Sequence, residues 1–425
     1  MGFWDFLDNG RVLGKCETNF FHIYIYRDLP DVNIGEYEDS EKGTFMHEYL
    51  HYIQFINTIF GLSYGTIYNN YFAYCVDYFD RNEELEIPLN ILPNYAVLDR
   101  MINRYKQLKG SKNCSIEIDK IVIENSAIDL AKKEYSAIRV KGINSITAET
   151  EYFEFGFLCI IENMALIFQS FFDKNIQERQ IVPYKVIEII CSNLPNPITD
   201  EKLMFSICLC SLMYNNPAYG FFEVLDILES NPNYNGIKLY KHLLNSKIEH
   251  KSCKTVHEFF HYLIENYEYN IRTAICDDLV YFSKVFENCK LEIQNNESIL
   301  LKLLYETEIN SKESIEFLTN YYGLPLIEAN NITIMAKPPN SSKKGYLDIA
   351  NLRGLEMVIN RFTSFQDKKC PMYDKCYNLL YRDDIYNKFE MTQECLDEQW
   401  KKSEKCLMTV SLWKYKLDKK TIIQQ

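Results

Sequence analysis

Two stretches of the chain place a glutamate between two histidines in the pattern His-Glu-x-x-His, namely residues His47–His51 and residues His257–His261. If such a stretch is helical, its two histidines lie one turn apart on the same face, with about 6 Å between their Cβ atoms. Two imidazoles at that spacing can share one Zn²⁺ ion, and the neighbouring glutamate can take a proton from a water molecule that the metal activates. Each stretch is therefore a candidate hydrolytic zinc site, and its surroundings decide between the two.

The first copy lies in the run GTFMHEYLHYIQF, which is apolar on nearly every side of a helix. A helix that is apolar all round is buried, so His47, Glu48 and His51 lose water together. Burying three ionisable groups costs several kcal/mol unless a partner compensates. A bound cation is such a partner, because metals take neutral imidazole and carboxylate as ligands. The alternative is a pair of hydrogen-bonded histidines in a protein core.

The second copy lies on a segment with an ordinary amphipathic pattern. Val256, Phe260 and Leu263 belong to one apolar stripe, and His257 and Glu258 fall on its polar flank. This pattern predicts a surface helix and not a metal site.

A third ligand for the first copy is suggested by the apolar segment Phe155–Phe172, which carries a single charge, Glu162. An isolated buried carboxylate needs a partner, and a zinc ion held by two histidines and one glutamate provides it. Asp77, Glu151 and Glu154 are rival third ligands. The flanks of the segment lack the Lys and Arg anchors of a membrane span, so it predicts a buried core helix.

HEYLHYIQ followed by IENMA resembles the gluzincin-type zinc metallopeptidases, in particular a poorly characterised bacterial branch of that group. The resemblance implies a zincin-like fold with one zinc ion, held by His47, His51 and Glu162, with Glu48 as the general base. It also implies a peptide or protein substrate that lies extended along an edge strand. The strand FFHIYIY could play that part by strand addition.

The sequence departs from the compact members of this family in two places. The distance from the first motif to the ligand glutamate is long, which implies an insertion at about 61–148. Leu166 stands one turn after the ligand glutamate, where some members have an acidic residue that supports the metal. The residue that stabilises the transition state, usually a tyrosine or histidine, stays open because the chain has 32 tyrosines.

Four cysteines near the carboxyl end form a second candidate metal site. They could hold structural zinc or an iron–sulfur cluster. Their spacing is not the tight Cys-x-x-Cys of zinc knuckles, so independent buried thiols are the alternative. The four residues are Cys370, Cys376, Cys395 and Cys406.

The composition excludes some classes of function. The chain has 425 residues and a formal net charge of -13, which argues against nucleic-acid binding because phosphates require a basic surface. The first residues lack the basic start and apolar stretch of a signal peptide. Without such a signal, the fourteen cysteines are better explained as reduced thiols in the cytoplasm.

The patterns predict a mostly α (α+β) protein with little β-structure. We expect a zincin-like region at 1–180, a helical region at 181–340 and a cysteine-containing region at 341–425. The elements predicted around the site are a strand at Asn19–Asp28, a helix at Thr44–Phe60 that ends at Gly61, and a helix at Glu149–Asp173.

The predicted function is that of a cytoplasmic zinc-dependent metallopeptidase or related hydrolase. Two alternatives stay open. One is a non-catalytic metal-binding, sensor or interaction protein of the same fold, which could have a protein partner. The other is a metal-cluster protein whose function resides in the carboxy-terminal cysteines.

Overall fold

The computed structural model describes residues 14–17, 21–29, 34–91, 93, 95–330, 333–334, 336–340, 347–363, 368–373, 376 and 392–424. The amino-terminal segment 1–13 and the first two residues of the predicted strand, 19–20, lie outside these ranges. The described residues are 58% helical with a small amount of sheet, so the predicted fold class, mostly α with some β, is confirmed. Among the described residues, no helix combines the length and apolarity needed to cross a bilayer.

The strands of the described residues are short. They are β1 (Gly14–Glu17), β2 (His22–Ile25), β3 (Glu84–Ile87), β4 (Lys120–Val122), β5 (Ile138–Ile143), β6 (Thr150–Phe155), β7 (Leu326–Ala329), β8 (Thr333–Ile334) and β9 (Thr421–Gln424).

The helices make up most of the structure. They are α1 (Asp39–Ile56), α2 (Ile59–Arg81), α3 (Ala96–Leu108), α4 (Asn125–Glu134), α5 (Phe157–Ser170), α6 (Ile181–Tyr184), α7 (Val186–Ser192), α8 (Glu201–Ser211), α9 (Pro217–Ser230), α10 (Gly236–Leu244), α11 (Val256–Ile275), α12 (Tyr281–Gln294), α13 (Ile299–Glu306), α14 (Lys312–Tyr322), α15 (Leu347–Thr363) and α16 (Leu407–Lys414).

The sheet nearest the first motif has the strand order β1-β2-β7-β8. Strand β2 runs antiparallel to β1 and parallel to β7, with Ile23 opposite Ile327. The expectation that FFHIYIY forms an edge strand is therefore wrong, because β2 has a neighbour on both sides. Among the described residues, β1 is the outer strand. Since β2 and β7 come from regions 1–180 and 181–340, these regions share a sheet, and their division into domains stays a prediction.

The helix that carries the first motif ends earlier than predicted. Helix α1 stops at Ile56, and Thr58 begins α2 by accepting a hydrogen bond from the backbone N–H of Gly61 at 3.0 Å. A Cβ atom at Gly61 would lie 2.4 Å from Cα of Phe55. Gly61 therefore permits the close approach of two consecutive helices and does not end the first.

The predicted helix at Glu149–Asp173 is partly wrong, because residues Thr150–Phe155 form strand β6. Along this strand, buried Phe153 and Phe155 alternate with more exposed residues, which is the two-residue period of a strand with one covered face. The helix α5 starts after Gly156, whose missing side chain leaves room for the backbone of Gly110. From Phe157 onward α5 is buried almost throughout, as its apolar composition predicts.

Helix α1 is fixed on the side away from the motif by two tyrosines. The hydroxyl of Tyr49 donates to the carbonyl of Gly323, and that of Tyr52 donates to the carbonyl of Tyr322, each at 2.7 Å. Both side chains are almost fully buried. Each hydrogen bond stabilises the fold by about 1 kcal/mol, and the burial of each ring adds about 2 kcal/mol. Helix α1 thus packs between the end of α14 and α5.

A buried carboxylate lies behind the carboxyl end of α1. Glu292 is 2% exposed, and its Oε2 accepts hydrogen bonds from Nδ2 of Asn57 at 3.2 Å and from the N–H of Ile299 at 3.0 Å. Burial raises the pKa of Glu292 to about 7, although these hydrogen bonds act in the opposite direction.

Candidate metal centre

Helices α1 and α5 pack together and bring three predicted ligands to one point. The Oε2 atom of Glu162 lies 3.5 Å from Nε2 of His47 and 3.7 Å from Nε2 of His51. One ligand atom from each residue lies within 4.8 Å of the other two. Across the described ranges, this is the one group of three or more His, Cys, Asp or Glu side chains that is so closely spaced.

The donor set fits zinc, because two imidazoles and one carboxylate are a common catalytic zinc environment. The Nδ1 atom of His51 lies 2.9 Å from Oε1 of Gln54, whose Nε2 donates to the carbonyl of Ile161 at 3.2 Å. An amide oxygen can only accept, so His51 holds a proton on Nδ1, and Nε2, which faces Glu162, is the nitrogen that could bind a metal. Gln54 also ties α1 to the residue next to Glu162.

The side chains of the three candidate ligands are well shielded from solvent. Their exposed fractions are 12% for His47, 10% for His51 and 11% for Glu162. The Nδ1 atom of His47 is buried and has no hydrogen-bond partner among the described residues.

The electrostatics of the three groups are strongly coupled. Burial alone would lower the pKa of His51, but the Glu162 carboxylate outweighs it and raises that pKa to about 9. Burial would raise the pKa of Glu162, yet His51 and His47 hold it well below its ordinary range. The site thus strongly favours the placement of positive charge against Glu162.

Glu48 lies beside the ligands and against the outer strand β1. It is 7% exposed, and burial raises its pKa, although His47 and His51 partly offset the effect. A Cβ atom at Gly14 of β1 would lie only 2.7 Å from Cγ and 2.9 Å from Oε1 of Glu48. A side chain at this position would therefore displace the Glu48 carboxylate, which glycine leaves in place.

Three residues near the site, Tyr184, Arg179 and Gln54, were not predicted from the sequence. Burial raises the pKa of Tyr184, and the carboxylates of Glu162 and Glu48 raise it further, which places its hydroxyl in the field of both. The Arg179 guanidinium lies 5.8 Å from the centre of the Tyr184 ring and lowers the pKa of Glu48. No pattern distinguishes Tyr184 from the other tyrosines, whereas Gln54 could have been found from its position one turn after His51.

The rival third ligands do not approach the histidines. Asp77 on α2 forms an ion pair with Arg81 at 2.8 Å. Glu151 on β6 accepts a hydrogen bond from the N–H of Ser115 at 2.9 Å, and Glu154 is exposed on the same strand. Leu166 is buried on α5, one turn beyond the ligand glutamate.

The second motif lies on α11, an amphipathic surface helix as predicted. Phe260 is buried, whereas Glu258 is exposed and accepts a hydrogen bond from the N–H of Lys254 at 2.6 Å. The rings of His257 and His261 are 4.8 Å apart, but within the described ranges no third ligand atom joins them.

The four carboxy-terminal cysteines are free thiols. Cys370 and Cys395 are buried, and Cys376 and Cys406 are partly exposed. The described positions include all four, and no three of their sulfur atoms lie within 4.8 Å of one another.

Comparisons with protein-family models, with curated proteins and with solved structures give no match for this chain. The gluzincin resemblance therefore stays an expectation, carried by the first motif and Glu162. Any function must be argued from the geometry of this centre.

Proposed function

We propose that this protein is a zinc-dependent hydrolase of the gluzincin type that cleaves peptide bonds. The observation that carries the proposal is the convergence of His47, His51 and Glu162 within 4.8 Å, with Glu48 buried beside them. An apolar helix has little reason to bury two histidines and a glutamate against a second buried glutamate unless a cation holds them.

His47, His51 and Glu162 would hold the ion, and Gln54 would orient His51. A bound zinc ion supplies Lewis acidity, which polarises a carbonyl and lowers the pKa of water to about 7. Glu48 serves as the general base, accepting a proton from the attacking water and donating it to the leaving amine. Its raised pKa brings it closer to the pH of the reaction, which is where a residue of this kind works best.

Tyr184 is the candidate for stabilising negative charge on the substrate oxygen. Burial raises its pKa, and the carboxylates of Glu162 and Glu48 raise it further, so its hydroxyl stays protonated as a hydrogen-bond donor. Arg179 adds a positive charge on the same side of the site. Tyr184 is thus our candidate for the tyrosine or histidine that the sequence alone does not assign.

Strand β1 is the candidate binding edge for an extended peptide. It is the outer strand of its sheet among the described residues, and its Gly14 touches the Glu48 side chain. A peptide paired with β1 would place its backbone next to the general base.

The alternative function is a metal site without turnover, as in a sensor or interaction protein. The observation in its favour is the low exposure of the ligand side chains, 10–12%, which leaves little room for a substrate as the site stands. Whether a substrate can reach the metal therefore distinguishes the two functions.

The test compares Glu48→Gln with the matched control Glu258→Gln in the second motif. Zinc content is measured by elemental analysis, and hydrolysis is measured on a fluorogenic peptide library. A peptidase predicts that Glu48→Gln keeps its zinc and loses about 10²–10⁴-fold in rate, whereas Glu258→Gln behaves as wild type. Wild-type protein that binds zinc but cleaves no library member supports the non-catalytic alternative. Equal rates in Glu48→Gln and wild type refute the proposed role of Glu48.

A further inference from the structure

The four carboxy-terminal cysteines, called here the cysteine cluster, come from segments that pack against one another. The N–H of Cys370 donates to the carbonyl of Cys395 at 2.8 Å. Gln399 strengthens this junction, because its Nε2 donates to the carbonyl of Lys368 at 2.8 Å and to that of Cys395 at 3.2 Å. Cys406 is the residue that precedes α16 and caps its first turn.

Two cysteines of the cluster, Cys370 and Cys376, lie on one short turn. The N–H of Tyr373 donates to the carbonyl of Cys370 at 2.8 Å, and the N–H of Cys376 donates to the carbonyl of Met372 at 2.9 Å. Because Cys370 is also hydrogen-bonded to Cys395, this turn packs directly against the segment that carries the third cysteine.

An ammonium group and a backbone N–H point at sulfur atoms of the cluster. The Nζ atom of Lys402 lies 3.0 Å from Sγ of Cys395, and its side chain is only 8% exposed. The backbone N–H of Thr409, in the first turn of α16, donates to Sγ of Cys406 at 3.5 Å. Donors of this kind support thiolate ligands, because they spread the negative charge that collects on sulfur around a metal.

Lys402 is difficult to explain if the thiols are independent. A buried ammonium group is costly unless anions compensate it, and the carboxylate paired with it, Glu404 at 3.5 Å, is 43% exposed and compensates it only in part. Neutral thiols do not supply the missing negative charge. Thiolates around a divalent ion do, because four thiolates and one Zn²⁺ carry a net charge of about -2.

We propose that the cysteine cluster is a second metal site, which holds one Zn²⁺ ion through four thiolates. Four sulfur ligands suit the tetrahedral geometry of a closed structural zinc site. Binding releases the four thiol protons to solvent and oxidises nothing. Since Zn–S bonds are about 2.3 Å, the sulfurs must rotate inward to lie about 3.8 Å apart. The site joins the segments around Cys370, Cys395 and Cys406, and is independent of the hydrolase function.

The experiment measures zinc per chain in full-length protein purified without chelators. Wild type and the control Cys276→Ser, which changes an exposed free thiol, are expected to hold two zinc ions. The variant Cys370→Ser/Cys395→Ser is expected to hold one, and so is His51→Gln, which empties only the other site. Cobalt-substituted His51→Gln should show an intense thiolate-to-cobalt charge-transfer band that the cysteine variant lacks. Equal zinc content in wild type and the cysteine variant overturns the proposal.

A measurement on folded protein covers the case in which the cysteine variant does not fold. In His51→Gln, the thiols that react with an aromatic disulfide reagent are counted with and without a strong chelator. The proposal predicts about four additional reactive thiols after chelation. An unchanged count, a disulfide found by mass spectrometry, or iron in place of zinc overturns it.

Discussion

The substitution Gln54→Met removes the side chain that orients His51 and leaves His51, the proposed metal ligand, in place. Gln54 is 2% exposed, and its two hydrogen bonds join Nδ1 of His51 to the carbonyl of Ile161. Methionine has nearly the same size and shape but offers neither of these hydrogen bonds. The substitution therefore keeps the packing between α1 and α5 and releases the imidazole of His51 from its orientation.

The expected loss is large enough to measure. Removing a partner that fixes a ligating histidine typically weakens metal binding by about 10–100-fold, which corresponds to about 1.4–2.7 kcal/mol. The N–H of His51 is also left buried without an acceptor, which costs about 1–3 kcal/mol of stability. Both effects have the same origin, so the free energy of unfolding and the zinc affinity should fall together.

Zinc affinity is measured by competition with a chromophoric chelator. The binding phase that belongs to this site is the one that His51→Gln lacks. Gln169→Met is the matched control, because Gln169 is 4% exposed and lies two turns beyond Glu162 on α5. The control should bind zinc as wild type does. A Gln54→Met protein within twofold of wild-type affinity would refute the proposed orientation of His51.

Three further predictions address the general base, the hydroxyl donor and the buried carboxylate. Gly14→Ala should lower kcat by about tenfold with zinc content unchanged, because the new Cβ displaces the Glu48 carboxyl group; an unchanged kcat contradicts this contact. Tyr184→Phe should lower kcat by about 10²-fold with little change in KM. Its zinc content should equal that of Glu48→Gln, which keeps the metal; a loss of zinc in Tyr184→Phe would indicate a structural role instead. The pKa of Glu292, about 7 against an ordinary 4.5, means that the fold favours its protonated form, so its stabilising effect is complete below pH 4.5 and is lost as the pH rises through 7. At about 1.4 kcal/mol per pH unit this loss is about 3 kcal/mol, and Glu292→Gln should remove it in urea unfolding at pH 5 and pH 8; a variant with the wild-type pH dependence contradicts the assignment.

The sequence contains enough information to bring the three ligands together. His47 and His51 lie in a helix that is apolar all round, and Glu162 is the one charge in a long apolar segment. Both features concern the cost of burying charge, which depends on residue type and local pattern. They therefore predict that these groups lie inside the protein and need one another, and the structure places them within 4.8 Å.

The features that were predicted wrongly or missed depend on contacts between segments that are distant in the chain. Strand β6 was predicted as helix because its phenylalanines continue the apolar run of α5, and only its pairing with β5 reveals the two-residue period. The outer position of β1 follows from the pairing of β2 with β7, which are about 300 residues apart. Tyr184 reaches the site through the packing of α6 on α5, and no local pattern marks it.

Zinc content per chain, compared between wild type, His51→Gln and His261→Gln, tests the metal centre between α1 and α5. The two substitutions change the second histidine of each His-Glu-x-x-His motif in the same way. The geometry predicts that His51→Gln loses one zinc ion per chain and that His261→Gln loses none. Wild-type zinc content in His51→Gln, with the protein folded, would contradict the centre and leave His47, His51 and Glu162 as a buried polar cluster.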